Sequence, residues 1–146
     1  MQQPLKSKYH DLYWDMAYAA SRQSVAKRLQ VGCVIVTPSG LVAPGWNGMP
    51  ASMDNCCEVE VYTETGVELM TKPELIHAER NAIDKLSRQG VAIEGSILFV
   101  THSPCLECAK SIHGLGFAHI YYDFEYRDTA GIEFFRKMRI PVSIRG

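Results

Sequence analysis

Four residues in two short segments have the types and spacing of a metal-dependent catalytic centre. His77 and Glu79 lie two residues apart, and Cys105 and Cys108 follow Pro104 at positions i and i+3. Residues three apart on a helix share a face, so both thiols can point the same way from a first helical turn. The helix dipole and the free backbone N–H groups of that turn favour thiolates. One imidazole and two thiolates match the ligand preference of Zn²⁺.

The number of candidate ligands favours a catalytic zinc site over a structural one. A structural zinc usually has four protein ligands, and no obvious fourth ligand lies near His77, Cys105 or Cys108 in the sequence. Three protein ligands leave one tetrahedral position for water. Glu79 points elsewhere on its helix than His77 and can serve as a base for that water.

Hydrophobic periodicity and turn residues predict the elements that position these four residues. The first part of the chain is predicted as an amphipathic helix (9–20), a hairpin (31–37 and 41–46) and a loop (47–72). The second part is predicted as helix 74–88, strand 96–101, helix 104–111, strand 118–122, helix 129–138 and strand 140–144. This order predicts a three-layer α/β/α fold with a mixed five-stranded central sheet, and the ligands at one end of that sheet.

Length and composition indicate one globular domain covering residues 1–146. The chain is 47% hydrophobic and 21% charged, with no linker or repeat. No apolar run reaches the roughly 18 residues of a membrane helix, and residues 1–9 lack the apolar core of a signal peptide. We therefore expect a cytoplasmic protein with no membrane partner. An odd count of five cysteines makes a poor disulfide framework.

The charge of the chain gives no reason to expect a nucleic-acid partner. Fifteen Lys and Arg against sixteen Asp and Glu leave a formal net charge of −1. The distribution is uneven, because residues 1–30 hold five basic and two acidic side chains, whereas residues 54–84 hold eight acidic and two basic ones. The basic segment could contact a phosphate or a neighbouring subunit, but a solvated helix face is the favoured interpretation.

The motifs resemble the cytidine and deoxycytidylate deaminase superfamily, and most closely its deoxycytidylate branch. The segments that carry the resemblance cover most of the chain: 31–36, 45–50, 54–58, 77–83 and 103–110. The His-x-Glu and Pro-Cys-x-x-Cys motifs occur across the superfamily. The Asn-Gly-x-Pro stretch at 47–50, the Asn-Cys-Cys-Glu stretch at 55–58 and Asn81 narrow the resemblance to the deoxycytidylate branch.

The resemblance implies zinc-dependent hydrolysis of dCMP to dUMP and ammonia, a reaction that feeds thymidylate synthesis. Zn²⁺ lowers the pKa of water toward about 7, so that hydroxide attacks C4 of cytosine while Glu79 moves the protons. The family pattern further implies three substrate contacts: the Ala78 N–H with the cytosine O2, the Ser103 carbonyl with the amino group, and Asn47 with the sugar.

A nucleotide substrate also needs a cation or backbone donors for its 5′-phosphate. Tyr126 and Arg127 follow the fourth predicted strand and are the leading candidates, with Arg22 and Arg28 as alternatives. A solvated surface role for Arg127 is almost equally well supported by the sequence.

Regulation and assembly are further implications of the resemblance. Relatives are usually homo-oligomers, many of them hexamers, and dCTP with Mg²⁺ or dTTP are the effectors to test. The chain has Trp46 where the family often has Tyr, and Ser52 where it often has Gly. These departures lie in a loop that contributes to nucleotide regulation in some relatives, so the sequence leaves regulation open.

Other functions remain open from the sequence. A tRNA adenosine deaminase shares the metal motifs, but that branch usually has Met where this chain has Glu107. Free cytidine is another candidate substrate. A non-catalytic zinc-stabilised binding module would have no use for Glu79. Cys33 is interpreted as a buried apolar residue, and Cys56 and Cys57 as buried or interface thiols or, alternatively, a second zinc site.

Overall fold

The chain folds around a mixed five-stranded sheet with helices on both faces, which confirms the predicted three-layer α/β/α architecture. The computed structural model describes residues 6–146, so the first five residues of the predicted domain, and part of segment 1–9, lie outside the described part. The elements in chain order are α1 (Ser7–Ser21), β1 (Gly32–Val36), β2 (Val42–Trp46), β3 (Glu58–Thr63), β4 (Gly66–Thr71), α2 (Ala78–Arg88), β5 (Ile97–His102), α3 (Leu106–Gly114), β6 (His119–Phe124), α4 (Ala130–Lys137) and β7 (Val142–Ile144). Within residues 6–146, no helix is both long enough and apolar enough to cross a membrane.

The strand order β2-β1-β5-β6-β7 brings several loops to one edge of the sheet. Strands β5, β6 and β7 are parallel, and β1 is antiparallel to both β2 and β5. The carboxyl ends of β5 and β6 therefore lie at the same end of the sheet as the start of β1 and the end of β2. Ligand sites in open α/β sheets form at the carboxyl ends of the strands.

Two apolar cores lie on opposite faces of the sheet. The larger core lies under α2, α3 and α4, and Cys33, Ile35 and Phe135 are among its fully buried side chains. On the other face, α1 packs Trp14 against Val34 and Phe99. Successive residues of a strand point to opposite faces, which is why neighbouring residues of β1 serve different cores. The burial of Cys33 confirms its interpretation as an apolar core residue.

The prediction of a loop over residues 47–72 is wrong for the second half of that segment. Strands β3 and β4 form an antiparallel hairpin that is separate from the main sheet. Most of its residues are exposed on both faces. The hairpin therefore lacks the alternation of buried and exposed residues by which a half-buried strand is recognised in a sequence.

The helix predicted from residue 74 begins later, at Ala78. Ile76 donates to the Gly48 carbonyl at 2.8 Å and accepts the Gly48 N–H at 3.1 Å, which forms an isolated antiparallel bridge. This pairing holds Ile76 in an extended conformation, so the helix starts after it with His77 as N-cap. The other element boundaries lie within a few residues of the predicted ones.

The edge strand β2 is tied to α2 through one lysine. Pro44 has no backbone N–H, and its carbonyl accepts a hydrogen bond from Lys85 Nζ at 2.8 Å. The Lys85 ammonium also lies over the Trp46 ring, 4.1 Å from its centroid. Lys85 thus contacts both the backbone and a side chain of the edge strand.

Candidate active site

His77, Cys105 and Cys108 come together where α2 and α3 begin. The Nδ1 atom of His77 lies 3.3 Å from Cys108 Sγ and 3.6 Å from Cys105 Sγ. All three ligand atoms lie within 4.8 Å of one another. Among the residues that the structure describes, this is the one cluster of three or more His, Cys, Asp or Glu side chains with the geometry of a metal site.

Both segments reach the cluster because a helix starts there. His77 is the N-cap of α2, and Cys105 is the N-cap of α3, each with an extended backbone. The Cys108 N–H donates to Cys105 Sγ at 3.5 Å, so the thiol of Cys105 caps its own helix. The unpaired N–H groups and the dipole of a helix start stabilise negative charge at this place.

The donor set fits Zn²⁺ in chemistry and in spacing. Hydrogen bonds from the Cys108 thiol and from His77 lower the pKa of Cys105, which favours a thiolate at that residue. The hydrogen bond to Cys105 in turn raises the pKa of His77. Zn–S bonds of about 2.3 Å and a Zn–N bond of about 2.0 Å in a tetrahedron place N and S about 3.5 Å apart. The observed separations of 3.3 and 3.6 Å agree with this value.

Glu79 lies in the first turn of α2 beside the cluster. Glu79 is 4% exposed and lines the same cavity as His77. Burial is the largest influence on its carboxyl and raises the pKa, while its own backbone N–H and His77 act in the opposite direction. A carboxyl whose pKa is raised holds a proton more readily, which suits a group that accepts and returns one.

A cavity of about 430 Å³ opens next to the cluster, a volume in the range of small-molecule sites. The sequence-predicted residues that line it are Arg28, Asn47, His77, Ala78, Glu79, Ser103, Cys105, Tyr126 and Arg127. Cys108 contacts His77 and Cys105 but is not part of the lining. Arg22 is exposed and also lies outside the lining.

Ser103 joins the two loops that follow β5 and β6. Its N–H donates to the Phe124 carbonyl at 2.9 Å, and its hydroxyl accepts the Tyr126 N–H at 2.7 Å. These bonds hold Tyr126 and Arg127 against the cavity. The loop after β6 is therefore positioned by the segment that precedes Cys105.

Asn47 lies in the cavity wall, and the backbone engages its amide. Nδ2 donates to the Leu29 carbonyl at 2.8 Å, and Oδ1 accepts the Val31 N–H at 2.9 Å. The Asn47 carbonyl accepts the Ser24 hydroxyl at 2.8 Å. Asn47 thus shapes the segment before β1. A second amide N–H and a second lone pair remain chemically able to contact a sugar.

Three further cavity residues, Glu58, Thr71 and His102, were not among the predicted site residues. Glu58 and Thr71 belong to the hairpin that was predicted as loop. The segment 55–58 marks the deoxycytidylate branch, which was the available signal for Glu58. His102 ends β5 with Nδ1 2.9 Å from Thr101 Oγ1, and burial lowers the pKa of its imidazole.

The remaining cysteines stand apart from the metal cluster. Cys56 is exposed and Cys57 is buried. Burial is the main cause that raises the pKa of the Cys57 thiol, followed by the charge of Glu58. Within the described residues, neither thiol belongs to a group of three or more potential ligands.

The fold and the cluster define a zinc-binding domain of the deaminase class. The chain belongs to the cytidine and deoxycytidylate deaminase family, because the model of the zinc-binding region of that family matches residues 7–123. This match covers every residue of the cluster and all but two of the predicted site residues, Tyr126 and Arg127.

The relatives include solved and curated proteins. The chain is similar to the crystal structure of dCMP deaminase from cyanophage S-TIM5 in complex with dCMP and dUMP, with 38% identity, a TM-score of 0.87, and coverage of 97% of this chain and 100% of that one. It is 32% identical to ComE operon protein 2 of Bacillus subtilis over 82% of this chain and 61% of the relative. It is 33% identical to deoxycytidylate deaminase of Schizosaccharomyces pombe over 78% of this chain and 36% of the relative. The match thus spans less than two thirds of these two curated relatives.

Proposed function

We propose that this chain is a zinc-dependent dCMP deaminase, which converts dCMP and water to dUMP and ammonia. The observation that carries the proposal is the His77–Cys105–Cys108 cluster next to one cavity, with the buried Glu79 in the lining of that cavity. Similarity to a phage enzyme solved with dCMP and dUMP supports this substrate over a tRNA or a free nucleoside. The product dUMP would supply thymidylate synthesis.

The chemistry is divided among four residues and the metal. His77, Cys105 and Cys108 hold Zn²⁺, which when bound supplies a Lewis acid that lowers the pKa of water toward about 7. Glu79 takes a proton from the attacking water, delivers one to ring N3 and helps the amino group leave as ammonia. Because Glu79 is almost fully buried, bulk water competes little for these protons.

Backbone groups at the helix start and the loop orient the base. The Ala78 N–H lies in the first turn of α2, where a backbone N–H has no intrahelical partner, and it donates to the cytosine O2. The Ser103 carbonyl accepts an N–H of the amino group. Asn47 contacts the sugar through the second N–H of Nδ2 and the second lone pair of Oδ1, which its backbone contacts do not use.

The phosphate is bound by two arginines and a tyrosine of the cavity lining. Tyr126 and Arg127 approach from the loop after β6, and Arg28 approaches from the segment before β1. Arg22 does not line the cavity, so it is not proposed as a phosphate ligand. Guanidinium groups suit this task, since they bind phosphate oxygens in a bidentate manner.

We extend the proposal to a homo-oligomer, with a hexamer favoured by the family resemblance. The β3–β4 hairpin exposes Val59, Val67, Met70 and especially Tyr62, which is 78% exposed. A two-stranded hairpin is marginally stable alone, and packing against a second copy would stabilise it. Sedimentation velocity on the full chain tests the assembly, and a monomer at micromolar concentration would contradict it.

Regulation by dCTP with Mg²⁺ and by dTTP is supported by the family resemblance alone. Trp46 and Ser52 depart from the family pattern in a loop that contributes to nucleotide regulation in some relatives. The cytoplasmic location and the absence of nucleic-acid and membrane partners stay predictions.

Ammonia release from zinc-loaded protein tests the function. The substrates are dCMP, deoxycytidine, CMP and a tRNA anticodon stem-loop, each with and without Mg-dCTP or dTTP. Activity confined to dCMP is the expected result. Activity on the stem-loop alone would move the chain to the tRNA branch, and an unchanged rate with both triphosphates would remove the regulatory part of the proposal.

A further inference from the structure

A buried carboxylate fastens the base of the hairpin to the segment before β1. Glu58 is the first residue of β3 and is 6% exposed. Its Oε2 accepts the backbone N–H groups of Lys27 at 2.8 Å and of Arg28 at 3.0 Å. One oxygen that binds two consecutive amides fixes the direction of the chain at Arg28. Hydrogen bonds to an ionised carboxylate are the stronger kind.

The same hairpin also holds the Arg28 side chain. Arg28 Nη1 donates to Thr71 Oγ1 at 3.2 Å. Thr71 is the residue directly opposite Glu58 in the β3–β4 register. The backbone and the guanidinium of Arg28 are therefore attached to two facing residues of one strand pair. Arg28, Glu58 and Thr71 all line the cavity next to the metal cluster.

These contacts leave the charge of Arg28 uncompensated. Glu58 binds backbone amides rather than the guanidinium, and Arg28 takes part in none of the salt bridges found among residues 6–146. Thr71 contributes a neutral oxygen. A cation held in place without a carboxylate partner is suited to bind an anionic group of a ligand in the cavity.

We propose that Glu58 is a positioning residue that acts through Arg28. It places the Arg28 guanidinium against the 5′-phosphate and so sets the preference of the cavity for a nucleotide over a nucleoside. This inference rests on the proposed function. Glu58 touches neither the metal cluster nor the reacting atoms, so its loss weakens binding of phosphorylated ligands and leaves the rate at saturation unchanged.

Product binding tests the proposal without relying on turnover. Isothermal titration of the zinc-loaded protein with dUMP and with deoxyuridine is made for wild type, Glu58→Gln, Thr71→Val, Arg28→Ala and the Arg28→Ala/Glu58→Gln double variant. Glu60→Gln is the matched control, because Glu60 lies on the same strand and is exposed. Melting temperatures show whether each variant folds, and Thr71→Val keeps the test decisive if Glu58→Gln is unstable.

The expected result is a loss restricted to the phosphorylated ligand. Glu58→Gln and Thr71→Val weaken dUMP binding about threefold to tenfold, raise the KM for dCMP by a similar factor and leave kcat unchanged. Arg28→Ala weakens dUMP binding further, and adding Glu58→Gln to it has no additional effect, because both act through one guanidinium.

Other outcomes would overturn the inference. These are equal losses for dUMP and deoxyuridine, additive effects of Glu58→Gln and Arg28→Ala, a fall in kcat alone, or wild-type dUMP affinity in both Glu58→Gln and Thr71→Val. A wild-type protein that binds dUMP through Arg28 but releases no ammonia from dCMP would contradict the proposed function and leave this inference standing.

Discussion

Gly131 lies directly against the backbone carbonyl of Pro104. A Cβ atom at Gly131 would be 2.0 Å from Pro104 O and 3.0 Å from the carbonyl carbon and oxygen of Cys105. At 2.0 Å from the Pro104 oxygen, no Cβ atom fits at position 131 unless the backbone moves. Helix α4 therefore packs its backbone on the loop that carries a metal ligand, and the position of Cys105 depends on that packing.

Replacement of Gly131 by Ala should destabilise the fold and loosen the metal. Relief of the clash requires a shift of the Pro104–Cys105 backbone, at a cost of about 1–3 kcal/mol. Thermal unfolding and zinc retention against a chelator measure both effects. Gly114→Ala is the matched control, because a Cβ there meets nothing within 4 Å. Equal melting temperatures and zinc retention for Gly131→Ala and wild type would contradict this explanation.

Removal of the Ser103 hydroxyl should raise the KM for dCMP. The Tyr126 N–H would lose its 2.7 Å acceptor, and the loop that presents Arg127 would lose a tether worth about 1 kcal/mol, or roughly fivefold in KM. Ser103→Ala keeps the backbone carbonyl, so kcat should change little. Steady-state kinetics separate the two constants. A fall in kcat with constant KM would show that the hydroxyl serves the chemical step instead.

Glu79→Gln should abolish turnover while zinc stays bound. Loss of a general acid–base group costs about 100-fold to 10,000-fold in rate, and the three metal ligands are untouched. The assay is ammonia release together with zinc content by mass spectrometry. Glu74→Gln makes the same chemical change at an exposed position outside the cavity and should keep full activity. Near-normal activity of Glu79→Gln would remove the proton shuttle from the mechanism.

The zinc content should be one ion per chain and should depend on Cys108. Cys108→Ser removes a sulfur that lies 3.3 Å from His77 Nδ1, so zinc, activity and melting temperature should all fall. Cys56→Ser changes an exposed thiol outside the cluster and should leave all three unchanged. Two zinc ions in wild type, with one lost in Cys56→Ser, would place a second zinc at the 56–57 pair.

Alkaline pH should weaken the contact between Tyr18 and Asp123. Burial, followed by the hydrogen bond that Tyr18 Oη donates to Asp123, raises the pKa of the phenol from 10.0 to about 12. A raised folded-state pKa means that the contribution to stability is complete below about pH 10 and is lost as pH rises through 12. The melting-temperature difference between wild type and Tyr18→Phe should therefore narrow between pH 10 and 12. A constant difference over that range would contradict the assignment.

The sequence predicts those parts of the fold that follow from local patterns. The strand around Cys33 was recognisable as a continuous β-branched run next to a turn, and all of its residues are buried. The helix after His77 was recognisable because its buried residues recur at helical spacing. The bridge between Gly48 and Ile76 and the exposed β3–β4 hairpin were missed. The first is a long-range pairing, and the second has no buried face.

The candidate site also has residues that local patterns identify and residues that they do not. His77, Glu79, Cys105 and Cys108 could be selected because their types and spacing have few uses outside metal chemistry, and the structure shows that two helix starts bring them together. The roles proposed for them stay predictions. Glu58 could not be selected for a role, because its partners are amides some thirty residues away in the chain, and no local pattern encodes that contact.

The bond between Lys85 and Pro44 bears on how copies of this chain can associate. An added strand needs N–H and C=O groups along a free sheet edge. At the middle of β2 the N–H is missing, and Lys85 occupies the carbonyl. Pairing of β2 with a strand of another copy, and fibril-like growth by such pairing, are therefore hindered along this edge. Any self-association through β2 must first break the lysine contact.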